Sequence, residues 1–165
     1  MMVVVVMGVA GSGKSTVGAL IAQGLGADFA EGDRFHPAAN IAKMSAGQPL
    51  DDADRLPWLE AMAAAIRGWR QAQRPTVLAC SALKQSYRDL LRGGADEVRF
   101  VHLRATRAQV ESRMATRRGH FMPTSLIASQ FATLEEPSDA IALDVAGTPE
   151  TIAQAALRRL AAGDG

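Results

Sequence analysis

Apolar residues fall along this chain in two alternating rhythms. Val3 to Met7 is a continuous, mostly β-branched run, the pattern of a strand covered on both faces. From about Lys14 the rhythm changes: Val17, Leu20, Ile21 and Leu25 return at spacings of 3, 4 and 8, one face of a helix. A short second strand is predicted over Asp28 to Glu31. From Asp54 to Gln71, Leu59, Met62, Ile66 and Trp69 recur every 3 to 4 residues and predict a long amphipathic helix, closed by Arg74 and Pro75. "TVLAC" (76–80) and "VRFVHL" (98–103) read as the third and fourth strands, the latter leading into an arginine-rich helix. "AIALDV" (140–145) is the fifth, and Pro149 opens a last helix ending near Ala162. Strands alternating with helices predict an α/β fold with a five-stranded parallel sheet and right-handed crossovers. No repeat, low-complexity tract or linker divides residues 1–165, so one domain is expected.

Composition narrows the class without altering that fold. With 165 residues, 48% of them hydrophobic and 21% charged, the chain can bury a substantial core. A net charge of +1 gives no electrostatic case for a nucleic-acid partner or an anionic membrane. Cys80 is the one cysteine, which excludes an internal disulfide framework and suits a reducing compartment. The opening "MMVVVVMGVA" lacks a basic leader and runs straight into a glycine-rich loop, so it reads as a buried strand and not a signal peptide. No segment reaches the roughly 20 apolar residues that cross a bilayer. A soluble, cytoplasmic protein is expected.

That glycine-rich loop carries the strongest chemical signal. "GVAGSGKS" satisfies G-x-x-x-x-G-K-[ST] over Gly8, Val9, Ala10, Gly11, Ser12, Gly13, Lys14 and Ser15, with Thr16 beyond. The strand before it and the helix after it supply the context the motif requires. Its glycines let backbone N–H groups curl around phosphate oxygens at the positive end of a helix dipole. Lys14 can reach the β- and γ-phosphates, and the Ser15 hydroxyl can ligate Mg²⁺. The chain is expected to bind a nucleoside triphosphate.

The acceptor side has to be read separately. No N-K-x-D supplies a guanine-reading motif, and the third strand ends "VLACSALK", with Cys80 and Ser81 where large ATPases place a carboxylate. A small kinase acting on a bound metabolite or nucleotide fits better. In parallel sheets ligands gather at the carboxyl ends of the strands, which puts "EGDRFHP" (31–37) across from the phosphates. Asp33 can receive a hydroxyl proton and hold the attacking oxygen in line, a task in which positioning outweighs basicity. Glu31 falls two residues earlier, on the same face of an extended chain, and can hold a Mg²⁺-bound water. The alternative for both Asp33 and Glu31 is a solvated turn whose aspartate merely caps the helix that follows.

Further cations cluster downstream. Lys84 and Arg88 read as i and i+4 on one helix, able to converge on one anionic group, with Arg34 and Arg55 joining from the other wall and Trp58 as an apolar floor. An acceptor bearing hydroxyls and a carboxylate or phosphate suits that set; the alternatives are Lys and Arg that only keep a long helix soluble and a Trp58 that belongs to the core. Cys80 and His102 read as structural, and no histidine–cysteine spacing suggests zinc. Five arginines lie between 104 and 118, with Arg113 and Arg117 at i, i+4, as expected of a flap that neutralises transferring charge and excludes water. An exposed basic helix paired with Glu111 is the blander alternative.

Taken in series, "GVAGSGKST", "EGDRFHPAANIAKMSAGQPLDDADRLPWL", "CSALKQSYRDLLR" and "RRGHFMPTSLIASQFATLEEP" resemble the gluconokinases of the P-loop metabolite kinases, over about residues 4 to 137. The resemblance implies a three-layer fold like that of nucleoside-monophosphate kinases, with a lid segment near residues 113–124. It implies ATP and Mg²⁺, D-gluconate as substrate phosphorylated at its 6-hydroxyl, supply of the pentose-phosphate route, and a homodimer. Carried onto these positions, Gly8 to Thr16 hold the phosphates and metal, with Lys14, Asp33 and Arg117 catalytic. His36, Arg34, Arg55, Lys84 and Arg88 become the gluconate contacts, joined by Gln130, and Arg113, Arg117 and His120 lie in or beside the lid. The chain departs from the family pattern at Glu31, where Asp is usual. Other small-metabolite or nucleoside-monophosphate kinases share the scaffold, and a non-catalytic nucleotide-binding protein would keep the loop alone.

Overall fold

In the computed structural model of the protein, residues 2–116 and 124–163 are described. Val3–Met7 forms β1, and every one of its side chains is fully buried, which explains why its sequence shows no alternation. It lies at the centre of a five-stranded parallel sheet of order β2-β3-β1-β4-β5, with β2 Asp28–Glu31, β3 Thr76–Ala79, β4 Val98–Arg104 and β5 Ile141–Asp144. Among the described residues seven α-helices connect or follow these strands: α1 Lys14–Leu25, α2 Ala38–Ser45, α3 Asp52–Gln71, α4 Gln85–Arg92, α5 Arg107–Thr116, α6 Thr124–Thr133 and α7 Pro149–Ala161.

Because strand side chains alternate, β1 feeds two cores. Val3, Val5 and Met7 pack with Trp58, Met62 and Ile66 of α3 and Leu91 of α4. Val4 and Val6 pack on the opposite face with Val17 and Ile21 of α1 and Ala156 and Leu160 of α7. Sheet and two helical layers make the expected three-layer architecture. A smaller cluster of Val9, Leu83, Val110 and Ile127 ties α5 and α6 to the loop that follows β1.

Helix α3 begins two residues earlier than its apolar period predicts. Asp51 and Asp54 form a reciprocal capping box: the Asp54 N–H donates to Asp51 Oδ1 at 2.7 Å, and the Asp51 N–H donates to Asp54 Oδ2 at 3.0 Å. The acidic first turn also suits the positive end of the helix dipole, and Pro57 stands inside the helix beyond that turn, where it offers no N–H to the Ala53 carbonyl.

The parallel register sets the site. Glu31, Ala79 and Val6 stand in one row across β2, β3 and β1, so all three chains leave the sheet at the same edge. Among the described residues no helix is long and apolar enough to cross a membrane. Residues 117–123, at the middle of the expected lid, lie outside the described residues.

Candidate functional site

At that edge lies a cleft of about 630 Å³. Its floor is the loop from β1 to α1. Gly13, immediately before α1, has φ +95°, a left-handed conformation open to glycine and strained for other residues. Helix α1 has no side-chain cap and no acidic residue in its first turn, so its first N–H groups are left for a ligand at the positive end of the helix. Lys14 and Ser15 line the cleft there, and Lys14 Nζ donates to Val9 O at 2.9 Å across the loop. Thr16 is exposed one residue further on.

Two side chains from outside brace this loop. Gln130 of α6 lines the cleft and accepts the Ala10 N–H at 3.1 Å through Oε1. Arg113 of α5 donates to Ser12 O at 3.1 Å and to Val145 O at 3.0 Å. It is placed against the loop's backbone and is not among the residues lining the cleft. Arg117 and His120 lie outside the described residues.

The opposite wall is the segment after β2. Gly32 passes so close to β3 that a Cβ there would stand 2.5 Å from Ala79 O, which makes any side chain at this position a steric conflict. A 3₁₀ turn, Gly32–Phe35, then places Asp33 on the cleft, with Glu31 before it and His36 after it. Trp58 is pinned by its Nε1 donating to Gly32 O at 2.8 Å, and its ring stacks on His36 with centroids 4.3 Å apart and planes 11° from parallel. Trp58 is thus both core, 2% exposed, and cleft wall. Arg34, at the exposed side of the turn, is not among the lining residues.

Burial holds His36 below the usual imidazole pKa; Asp33 opposes that shift and Arg55 adds to it. Burial and Arg55 thus favour the neutral ring. Arg55, 7% exposed, lines the cleft from α3 and donates to the Tyr87 hydroxyl at 3.1 Å. Tyr87 in turn donates to Asp52, to which Lys84 Nζ also donates at 2.9 Å. Burial and the bond to Asp52 push the Tyr87 phenol upward, so it remains a donor, while Tyr87 and then Lys84 hold Asp52 below the ordinary carboxylate range.

Two expected substrate contacts take other positions. Lys84 is the extended residue capping α4 (φ −101°, ψ 149°), not a helical partner of Arg88, and its ammonium is paired with Asp52 outside the cleft lining. Arg88 turns inward. It is 2% exposed and donates to Ala82 O at 2.7 Å, Leu83 O at 3.0 Å, Glu135 O at 2.7 Å and Gln85 Oε1 at 3.2 Å. The physical reason is Ala82, which has φ +45° in the loop after β3: that loop folds its carbonyls inward, and only a long cationic fork answers them. Cys80, in the same loop, is fully buried and its thiol is pushed up to about 12 by that burial, consistent with a structural residue.

Asn40, Asp52 and Tyr87 escaped the sequence reading. Asn40 lies four residues after His36 and its Nδ2 stands 3.1 Å from His36 Nδ1, a spacing that offered a weak signal. Asp52 and Tyr87 carried none beyond proximity to Arg55 and Lys84.

For a divalent cation the donor set is sparse. Among the described residues no group of three His, Cys, Asp or Glu side chains is gathered to hold one. Ser15 and Glu31 on a shared cleft suit Mg²⁺ bound largely by nucleotide phosphates and water, the habit of that ion.

The sequence model of the AAA domain family matches residues 3–137. The gluconokinase of Gluconobacter oxydans is 52% identical over 135 residues, covering 82% of this chain and 76% of that one. The crystal structure of a gluconokinase from Sinorhizobium meliloti superposes with a TM-score of 0.88 at 47% identity, over 99% of this chain and 93% of that chain. A shikimate kinase from Aquifex aeolicus superposes at 0.64 with 14% identity, over 98% of each, a likeness of fold alone.

Proposed function

The chain belongs to the gluconokinase family of P-loop kinases, and from that premise we propose that it transfers the γ-phosphoryl group of ATP to the 6-hydroxyl of D-gluconate. The observation that carries this reading is the pairing across one cleft of an uncapped α1 N-terminus with a wall of Asp33, His36 and Arg55. The α1 amides and Lys14 take the phosphates, with Gly8 to Thr16 as their cradle. Arg55 provides a fixed cation for the gluconate carboxylate, and His36 faces its hydroxyls. Asp33 accepts the proton of the attacking hydroxyl and holds that oxygen in line with phosphorus. As the new O–P bond forms, the bond from phosphorus to the β-phosphate oxygen breaks and ADP departs.

Mg²⁺, held through Ser15 and a water on Glu31, would neutralise charge on the β- and γ-phosphates. Gln130 keeps the nucleotide loop in shape while its amide borders the acceptor space. Arg117 and His120 complete this reading as groups of a lid near residues 113–124. One kinase domain over 1–165, a cytoplasmic site of action and a homodimer belong to the same proposal.

The test is a coupled ADP-release assay with D-gluconate, shikimate, AMP and CMP offered separately. Turnover with gluconate alone is expected. Turnover confined to a nucleotide or to shikimate would overturn the assignment.

A further inference from the structure

Asn40 is 3% exposed although it sits on a short surface helix, and both hydrogens of its amide are committed. One goes to Asp54 O at 2.8 Å; the other lies against His36 Nδ1 at 3.1 Å. A main-chain carbonyl can only accept, so Asp54 fixes which end of the Asn40 amide is NH₂. The same nitrogen then faces His36 as a donor, and a neutral ring answers a donor only with an unprotonated Nδ1. The ring proton is therefore on Nε2, which forms no hydrogen bond among the described residues.

The supports around this pair are rigid. Asp54 belongs to the capping box of α3 and its carboxylate is bound by Lys43 Nζ at 2.6 Å, so the carbonyl that orients Asn40 is itself held. Trp58 clamps the plane of the ring from the other side.

We propose that Asn40 is a positioning residue for acceptor binding, which locks His36 in its Nε2–H form so that the cleft offers the acceptor's oxygen lone pairs a neutral, fixed donor. The inference rests on the gluconate reading for the identity of that oxygen, an alcohol or carboxylate oxygen of the sugar acid. Its structural half stands without any substrate. A neutral donor beside Arg55 separates two tasks: the guanidinium answers charge, and the imidazole reads the placement of an uncharged oxygen.

The tautomer can be measured on the ligand-free protein by long-range ¹H–¹⁵N NMR at pH 7.5, the His36 signals being assigned by their loss in His36→Gln. The expected spectrum has an unprotonated Nδ1 and a protonated Nε2. A ring with the proton on Nδ1, or a doubly protonated ring, overturns the proposal whatever the substrate turns out to be. Steady-state kinetics then tests the consequence. Asn40→Leu should let the tautomers mix and raise the gluconate KM about fivefold to tenfold, the worth of one hydrogen bond, while the ATP KM and kcat stay within about twofold. His36→Gln, whose amide nitrogen falls near the Nε2 position, should keep the gluconate KM within about threefold. His36→Asn, whose amide falls near Nδ1, should raise it at least tenfold. Equal KM values for these two variants overturn the donor role even if Asn40→Leu fails to fold. Absence of gluconate turnover in the wild type overturns the substrate reading and leaves the NMR result to decide the tautomer.

Discussion

Replacing Arg88 distinguishes a structural clamp from a substrate contact. Its guanidinium joins Ala82 O and Leu83 O in the loop after β3 to Glu135 O beyond α6. In Arg88→Met the aliphatic stem is roughly kept and the donors are lost. Leu83 O keeps the Glu135 N–H at 2.8 Å, and Glu135 is exposed, so water can replace part of what is lost there. Ala82 is fully buried, and its carbonyl would stand without a donor, costing about 1–3 kcal/mol. The loss of charge-assisted bonds at the other two carbonyls adds about 1 kcal/mol, and the left-handed Ala82 conformation loses its support. A total of about 3 kcal/mol is expected. With a urea slope of about 2 kcal/mol per molar, the unfolding midpoint should fall by about 1.5 M. Arg88→Lys should fall between the two, since one ammonium cannot reach both sides of the clamp at once. Urea unfolding followed by far-UV circular dichroism, with gluconate KM measured well below the transition, is the assay. A midpoint unchanged within about 0.3 M, together with a tenfold rise in gluconate KM, would refute the clamp and restore Arg88 as a ligand.

Two further outcomes follow from the same geometry. Tyr87→Phe deletes the hydroxyl that links Arg55 to Asp52; the gluconate KM should rise about fivefold at nearly constant kcat, and an unchanged KM would show that Arg55 needs no such anchor. Cys80, with its thiol pushed up from 9.0 to about 12, should react with a thiol reagent at pH 8 at least about 1,000-fold more slowly in the native than in the urea-unfolded protein. Since the unfolded thiol ionises first, the protein should also lose stability as pH rises from 9.0 toward about 12, a loss that Cys80→Ala should lessen; rapid native labelling would contradict the burial.

The parts of this protein legible in its sequence are those where local chemistry and fold agree. A β-branched run ending at a P-loop leaves little freedom, and β1, the loop and α1 fall where the pattern puts them. Asp33 and His36 were legible because a mixed polar and aromatic cluster suits neither core nor open surface, and the structure does set both on the cleft. The start of α3 was missed because three aspartates within four residues, Asp51, Asp52 and Asp54, mask which one caps it. Lys84 and Arg88 misled for a related reason: helical spacing assumes both residues are in the helix, yet Lys84 is its extended cap. Nor does spacing reveal that a left-handed alanine elsewhere has presented carbonyls for Arg88 to bind. Asn40 looks solvated in sequence and becomes buried only when the first turn of α3 folds over it.

Asp33 is where the account is most exposed. Asp33→Asn keeps the size of the side chain and removes its capacity to take the hydroxyl proton. With ATP affinity measured by calorimetry and single-turnover rates measured with saturating gluconate, ATP binding should stay within about twofold while the rate falls at least about 100-fold. A variant that transfers phosphate at the wild-type rate would contradict the role given to this carboxylate and the orientation of the acceptor across the cleft.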